Sequence, residues 1–334
     1  MDVDAGRRRP GGRTVRTLTS DHRNRVIPRL AHTARQYVPR LVLEIGAGVI
    51  IGPSVMNAVT PSTGLHLLAD IAAALLLFLV GMHVDTAAMR RVGRTSMSVA
   101  VVGVIAPVVI GGVTGLVLGE SARTSLFLGS ALAATSIGIT ARVFRDAGHL
   151  DSVTAQVVVG AAVIDDVIGL LLLVAVSAVA GTHGIDAGVV GSSILIVGAF
   201  FMGAAVARSR HAGSVENVMS RIAPVMVPLF FIHIGIKADA ATFVSPGVLA
   251  VSGVLFVIAM GTKLLAGIGT SHAGTDRITV GLAMAPRGEV GLIFAATAVS
   301  AGAFDDRMYS AVLLVVLATT IVTPVLLRFR LSAA

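Results

Sequence analysis

Cysteine is absent from the 334-residue chain, which excludes disulfides and thiolate metal sites. Charge is scarce as well: 13% of residues are Asp, Glu, Lys or Arg, against about 25% in a soluble domain. No nucleophile triad, phosphate-binding loop or metal-ligand cluster can be read from the sequence, so an enzyme is not expected and no cofactor is called for. The net charge of +8 is no sign of nucleic-acid binding, because ten of the 26 basic residues lie before residue 41. That polar stretch has no apolar period. It is expected to be a disordered or lipid-surface arm over residues 1–40, with anionic lipid as its partner. It also lacks the short apolar run and small-residue cleavage site of a signal peptide.

What the chain has instead is apolar length. Hydrophobic residues make up 55% of it, and the mean hydropathy is +0.89. A spanning helix needs about 20 mostly apolar residues. Ten such segments can be placed, at about 41–60, 65–83, 96–118, 124–144, 153–180, 187–207, 217–236, 246–269, 278–302 and 308–328. The expected class is therefore an all-α, multi-pass membrane protein. With the arm inside, the remaining inner loops hold Arg90, Arg91, Arg94, Arg142, Arg145, Arg208, Arg210, Arg221, Arg277, Arg328 and Arg330. The outer loops hold only Arg123, Lys237 and Arg307. This bias follows the positive-inside rule and predicts an inner-membrane protein with both termini cytoplasmic.

Ten spans divide into two five-helix halves, 41–180 and 187–330, and an odd number per half inverts the second. The fourth segment of each half carries Gly-x-Ala-x-Ala, at Gly129–Ala133 and Gly281–Ala285. Helix-weakening residues follow each: Thr135 and Ser136 in one, Pro286 and Gly288 in the other. Interruptions at matching places in two inverted halves point to a transporter's binding site.

An ionisable group within a span costs about 2.5–3.5 kcal/mol even on the lenient insertion scale, so each needs a reason. Asp165 and Asp166 stand near the middle of the fifth segment. Adjacent residues on a helix diverge by about 100°, so the two carboxylates are expected to do different work. One of them, by this reading, alternates between a cation and a proton. Lys263 in the eighth segment is a candidate positive partner, or else snorkels to the headgroups. Arg287 and Glu289 flank the break in the ninth and could hold it together as a charge pair. Glu44, Asp70 and His233 are further charged or titratable groups in spans, the last read mainly as a packing histidine.

The strings GSALAATSIGITARVFRDAGHLDS, VVGAAVIDDVIGLLLL, VPLFFIHIGIKAD, LFVIAMGTKLLAG and GLAMAPRGEVGLIFA resemble, in order, the helices of the bacterial monovalent cation/proton antiporters. That family includes sodium/proton exchangers and the membrane part of Kef-type potassium efflux systems. The resemblance spans about residues 40–330. It implies a five-plus-five inverted repeat with two crossed discontinuous helices, and exchange of sodium or lithium, less readily potassium, for protons. It assigns the bound cation to Asp166, a breakable ion pair to Asp165 and Lys263, and polar oxygens to Thr135 and Ser136. Arg287, Glu289 and Glu44 are expected as supporting charges. An Asp-Asp pair with a lysine resembles the electrogenic subtype, and a homodimer is compatible with the family. Relatives carry roughly two more helices between the Asp-Asp span and VGAFFMGAAVARS, where this chain has about twenty residues. Losing two helices preserves parity. The alternatives are a sodium-coupled organic-anion symporter of similar architecture and a transport-dead paralogue.

Overall fold

The computed structural model describes residues 40–83, 86–180, 187–271 and 274–332. The basic arm lies outside the described residues except for Arg40, and so does the link at 181–186. The regular secondary structure of the described residues is all helical. They form α1 (Arg40–Ile51), α2 (Thr63–Met82), α3 (Thr86–Val117), α4 (Ala122–Ala131), α5 (Ile137–Asp146), α6 (Val153–Ala180) and α7 (Ala187–Val206). After these come α8 (Ala212–Lys237), α9 (Ala240–Phe243), α10 (Pro246–Ala266), α11 (Arg277–Ala283), α12 (Glu289–Ser300) and α13 (Asp306–Ser332).

Short polar side chains start many of these helices. Ser62, Ser121 and Ser245 each accept a hydrogen bond from the backbone N–H three residues on, and Asp276 accepts from Ile278. Each satisfies a donor that the first helical turn leaves without a partner. Pro246 occupies the first turn of α10, where its missing N–H is harmless. Among the described residues, six helices are long and apolar enough to cross a membrane: Thr63–Met82, Gly93–Val117, Val153–Ala178, Ala212–Lys237, Pro246–Gly269 and Asp306–Ser332. Two of the remaining apolar segments are not continuous. The segment at 124–144 is broken between α4 and α5, and that at 278–302 between α11 and α12. The first segment is helical only to Ile51; beyond it Pro53 enters an irregular turn.

The helices pack as two groups. In the first, α2 lies against α7 and α8, and α1 lies against α8. In the second, α3 is packed by α4, α6 and α10, while α10 also meets α13. Large apolar side chains such as Leu67, Ile105, Phe201 and Val257 stay exposed on the outer surface, as expected of helices whose solvent is lipid.

Close backbone approach holds the first group. A Cβ added at Gly81 would collide with the Phe200 carbonyl, and one at Gly203 with the Phe78 carbonyl. Gly48 and Gly235 stand in the same reciprocal relation across α1 and α8. In lipid, where helix association depends on packing, such contacts bind helix pairs. Gly198 on the same α7 has open space around it. Gly203→Ala is therefore expected to destabilise the protein by about 1–3 kcal/mol through overpacking, whereas Gly198→Ala leaves stability within about 0.5 kcal/mol. Thermal unfolding of the detergent-solubilised variants checks this.

Candidate functional site

The site is built where the two broken segments meet. Between α4 and α5 the chain is unwound at residues 132–136, and between α11 and α12 at 284–288. Unwound backbone at membrane depth must find partners within the protein, since lipid offers none. Each break supplies them to the other. The Ser136 N–H donates to the Pro286 carbonyl at 2.8 Å, and the Thr135 hydroxyl donates to the Met284 carbonyl at 3.2 Å. From α5, Thr140 donates to the Ala283 carbonyl at 2.6 Å. In return the Arg287 guanidinium donates through Nη1 to the Ala134 carbonyl at 3.2 Å. Gly288 lies so close to Ser136 that a side chain there would strike its hydroxyl.

Arg287 is a bracket for both breaks. It is fully buried, and its Nη2 reaches the Ala259 carbonyl on α10 at 3.1 Å. Thr320 on α13 donates to the Arg287 carbonyl. The charge pair with Glu289 considered from the sequence is not formed; Arg287 turns Nη1 and Nη2 to carbonyls instead, while its Nε has no partner among the described residues. A guanidinium suits this role because its planar fork presents several donors in fixed directions.

The acidic groups come from α6. Lys263 is 0% exposed and Asp165 is 1% exposed, with 3.4 Å between Nζ and Oδ2. Snorkelling is thereby excluded for Lys263. Its ammonium also donates to the Thr135 hydroxyl at 2.7 Å. Thr135 thus links the ion pair to the unwound segment, accepting from Lys263 while donating to Met284. The second oxygen of Asp165, Oδ1, is buried with no hydrogen-bond partner among the described residues.

Asp166 points elsewhere, as the helical divergence requires. It is 6% exposed, and its carboxylate accepts no hydrogen bond among the described residues. Its electrostatic neighbours are Glu289, Asp165 and Lys263. Glu289, half-buried at the start of α12, accepts from the Ser136 hydroxyl at 3.5 Å. Seven of the eight residues that the family resemblance assigned to the site therefore come together: Asp165, Asp166, Thr135, Ser136, Lys263, Arg287 and Glu289. The eighth, Glu44, sits on α1 against α8, with Arg40 as its electrostatic neighbour, and takes no part in the cluster. Thr140 and Thr320 were missed. The run Thr319-Thr320 followed by Thr323 in an otherwise apolar helix was the available signal.

The cluster has a charge imbalance. Asp165, Asp166 and Glu289 bring three carboxylates against the two cationic groups of Lys263 and Arg287. One added positive charge, whether a proton or a metal cation, restores neutrality, and Asp166 is the carboxylate without a hydrogen-bonded partner to lose. Breaking the buried pair from one side is costly. Lys263→Met leaves Asp165 buried without its cation and is expected to destabilise by about 3–5 kcal/mol. Adding Asp165→Asn should recover most of that loss, as read by thermal unfolding in detergent.

The transmembrane family described as sodium/hydrogen exchanger matches residues 25–197 and 193–332. The chain is 29% identical to the Na(+)/H(+)-K(+) antiporter GerN of Bacillus cereus, covering 88% of this chain and 90% of that protein. To the probable Na(+)/H(+) antiporter GerT of the same organism it is 30% identical, with 87% and 92% covered. The high-affinity Na(+)/H(+) antiporter NhaS3 of Synechocystis is 28% identical over 79% of this chain and 71% of its own length. The alignment with GerN runs over 357 positions, more than the 334 residues of this chain, so gaps open within it. The fold resembles that of the sodium proton antiporter MjNhaP1 from Methanocaldococcus jannaschii, with a TM-score of 0.62, 15% identity, and 93% and 94% of the two chains covered. With the family matched along both stretches of the helical region, the chain belongs to the sodium/hydrogen exchangers.

Proposed function

We infer that this protein is a secondary active transporter that exchanges a monovalent cation for protons, with Asp166 as the group that carries either one. The observation that carries this reading is the charge imbalance around Asp166, in a buried cluster short of one positive charge. A hard monovalent cation and a proton are both suited to a carboxylate in such a site, and the two compete for it. Sodium or lithium is the preferred cation, ahead of potassium. The names of GerN, GerT and NhaS3 favour the same activity.

The chemistry follows from the geometry. Burial disfavours a bare carboxylate, so Asp166 is occupied by one ion or the other when it crosses the hydrophobic barrier. Ser136 and Thr135 offer hydroxyl oxygens at the broken segment beside it, and the Ser136 hydroxyl already leans on Glu289. Asp165 and Lys263 form a pair that can separate when the lysine gives up its proton. Such a separation would let a second proton cross with each turnover and make exchange electrogenic. The same reading takes the chain as two inverted five-helix halves, 41–180 and 187–330, with ten crossings. Both termini would face the cytoplasm and the broken segments would cross near mid-membrane.

Everted vesicles from antiporter-deficient bacteria provide the test. Addition of sodium or lithium should dequench a pH-sensitive dye, and Asp166→Asn should abolish the signal at unchanged protein level. Clamping the membrane potential should slow an electrogenic exchanger and leave an electroneutral one unaffected. Inserted wild-type protein that gives no response to sodium, lithium or potassium would instead favour the transport-dead paralogue, and the residues missing relative to GerN would be the first cause to examine.

A further inference from the structure

A second polar cluster lies outside the site just described. A cavity of about 560 Å³ opens between α2 and α8 of the first helix group and α12 of the second. Its walls are striped at helical spacing. On α2, His66 and Asp70 are followed by Ala73; on α8, Lys237 is preceded by His233 and Phe230. These spacings keep each set on one face of its helix. The charged groups stand at the end where α2 begins and α8 finishes, and the apolar residues stand deeper.

Three features mark the cavity as a wet route for ions. His233 is 5% exposed, yet its Nδ1 has no hydrogen-bond partner among the described residues. Its ring meets that of His66 edge-on, at 4.8 Å between centroids. A buried polar atom in a roomy polar cavity is satisfied by water. Second, Asp70 and Lys237 line the same cavity and act on one another electrostatically, but form no ion pair. Each charge is therefore left to act on whatever enters. Third, Ile293 at the deep end stands one helical turn beyond Glu289 on α12, and Glu289 is the electrostatic neighbour of Asp166.

We propose that Asp70 is an entry site for the monovalent cation in this vestibule, opposed by Lys237, and that the two together set the apparent affinity for the cation on that face of the membrane. The proposal rests on the exchange reading above. Fixed charges in a cleft with low-dielectric walls concentrate or deplete a small ion according to their sign. Asp70 gathers cations at the head of the route to Asp166, and Lys237 holds that attraction in check, so a released cation is not drawn straight back. Neither residue touches the cluster around Asp166, so the rate at saturating cation does not depend on them.

The opposite signs provide the test. Apparent KM for sodium is measured from dye-reported proton flux in right-side-out and everted vesicles at one fixed pH. In the orientation that presents the cavity, Asp70→Asn should raise KM and Lys237→Gln should lower it, each on the order of tenfold. The double variant should return near the wild-type value, and the maximal rate should stay unchanged in all three. In the other orientation KM should not move. Added choline chloride should shrink both shifts by screening. A packing role for these residues would instead lower the maximal rate in both orientations. Shifts of the same sign, or no shift in either orientation with an active wild type, would overturn the filter alone. A wild type that moves no protons would overturn the exchange reading, and the filter with it.

Discussion

Everything at the site depends on the mutual hydrogen bonding of two unwound segments inside a layer that offers no water. Each break leaves backbone groups bare, and a bare group in hydrocarbon costs several kcal/mol. Neither segment could stay unwound alone. Placed together, the Ser136 N–H meets the Pro286 carbonyl, Thr135 meets Met284, Thr140 meets Ala283, and Arg287 meets Ala134. The backbone is thus held open without being exposed. Because the bonds run between the breaks, a shift of one segment is felt by the other.

Charge follows from that arrangement. Arg287 is needed to satisfy carbonyls, and Lys263 reaches the same segment through Thr135. Both cations are therefore committed to structural partners, and of the two Lys263 also holds a carboxylate, that of Asp165. Asp165 has one oxygen on Lys263 and the other without a partner, so it too is tied to the framework. Among the described residues, Asp166 alone of the three carboxylates accepts no hydrogen bond. The difference follows from helical geometry: adjacent residues diverge by about 100°, which turns one aspartate to the scaffold and points its neighbour away from it.

Much of this was legible in the sequence, and the reasons are local. Apolar length revealed the helices. Thr135-Ser136 and Pro286 with Gly288 revealed where two of them would break, since such residues weaken a helix in an otherwise apolar run. Asp165, Asp166 and Lys263 stood out because charge is rare in a span and must be explained. What stayed hidden depends on contacts between distant residues. Nothing in PRGEV shows that Arg287 will serve one carbonyl in the other break and one on α10 in place of its near neighbour Glu289. Thr320 looks like one of several threonines in α13 until its hydroxyl is seen donating to the Arg287 carbonyl. Glu44 has the same composition signal as the others, yet α1 packs on α8 and carries it away from the cluster. The stripe of His66 and Asp70 on α2 acquires meaning only when α8 brings His233 and Lys237 across from it.

Both helix groups rest on close backbone approach, and the second adds a further kind of contact. In the first group, reciprocal glycine contacts bring α2 onto α7 and α1 onto α8 at backbone distance. In the second, Gly129 on α4 and Gly267 at the end of α10 meet neighbouring carbonyls as closely, and polar bonds at the two breaks are added. The seam between the groups at α12 contains the cavity, with buried side chains such as Ile196, Phe230 and Ile293 packed along it. Interdigitated side chains resist sliding, and the cavity shortens the length of seam over which they do so. Asp166 lies on one side of this seam, and the charges at the cavity mouth lie on the other. A displacement along the seam would therefore change the distance between those charges and Asp166 without disturbing the bonds between the two breaks, which gives the proposed exchange a physical basis for coupling movement to the passage of an ion.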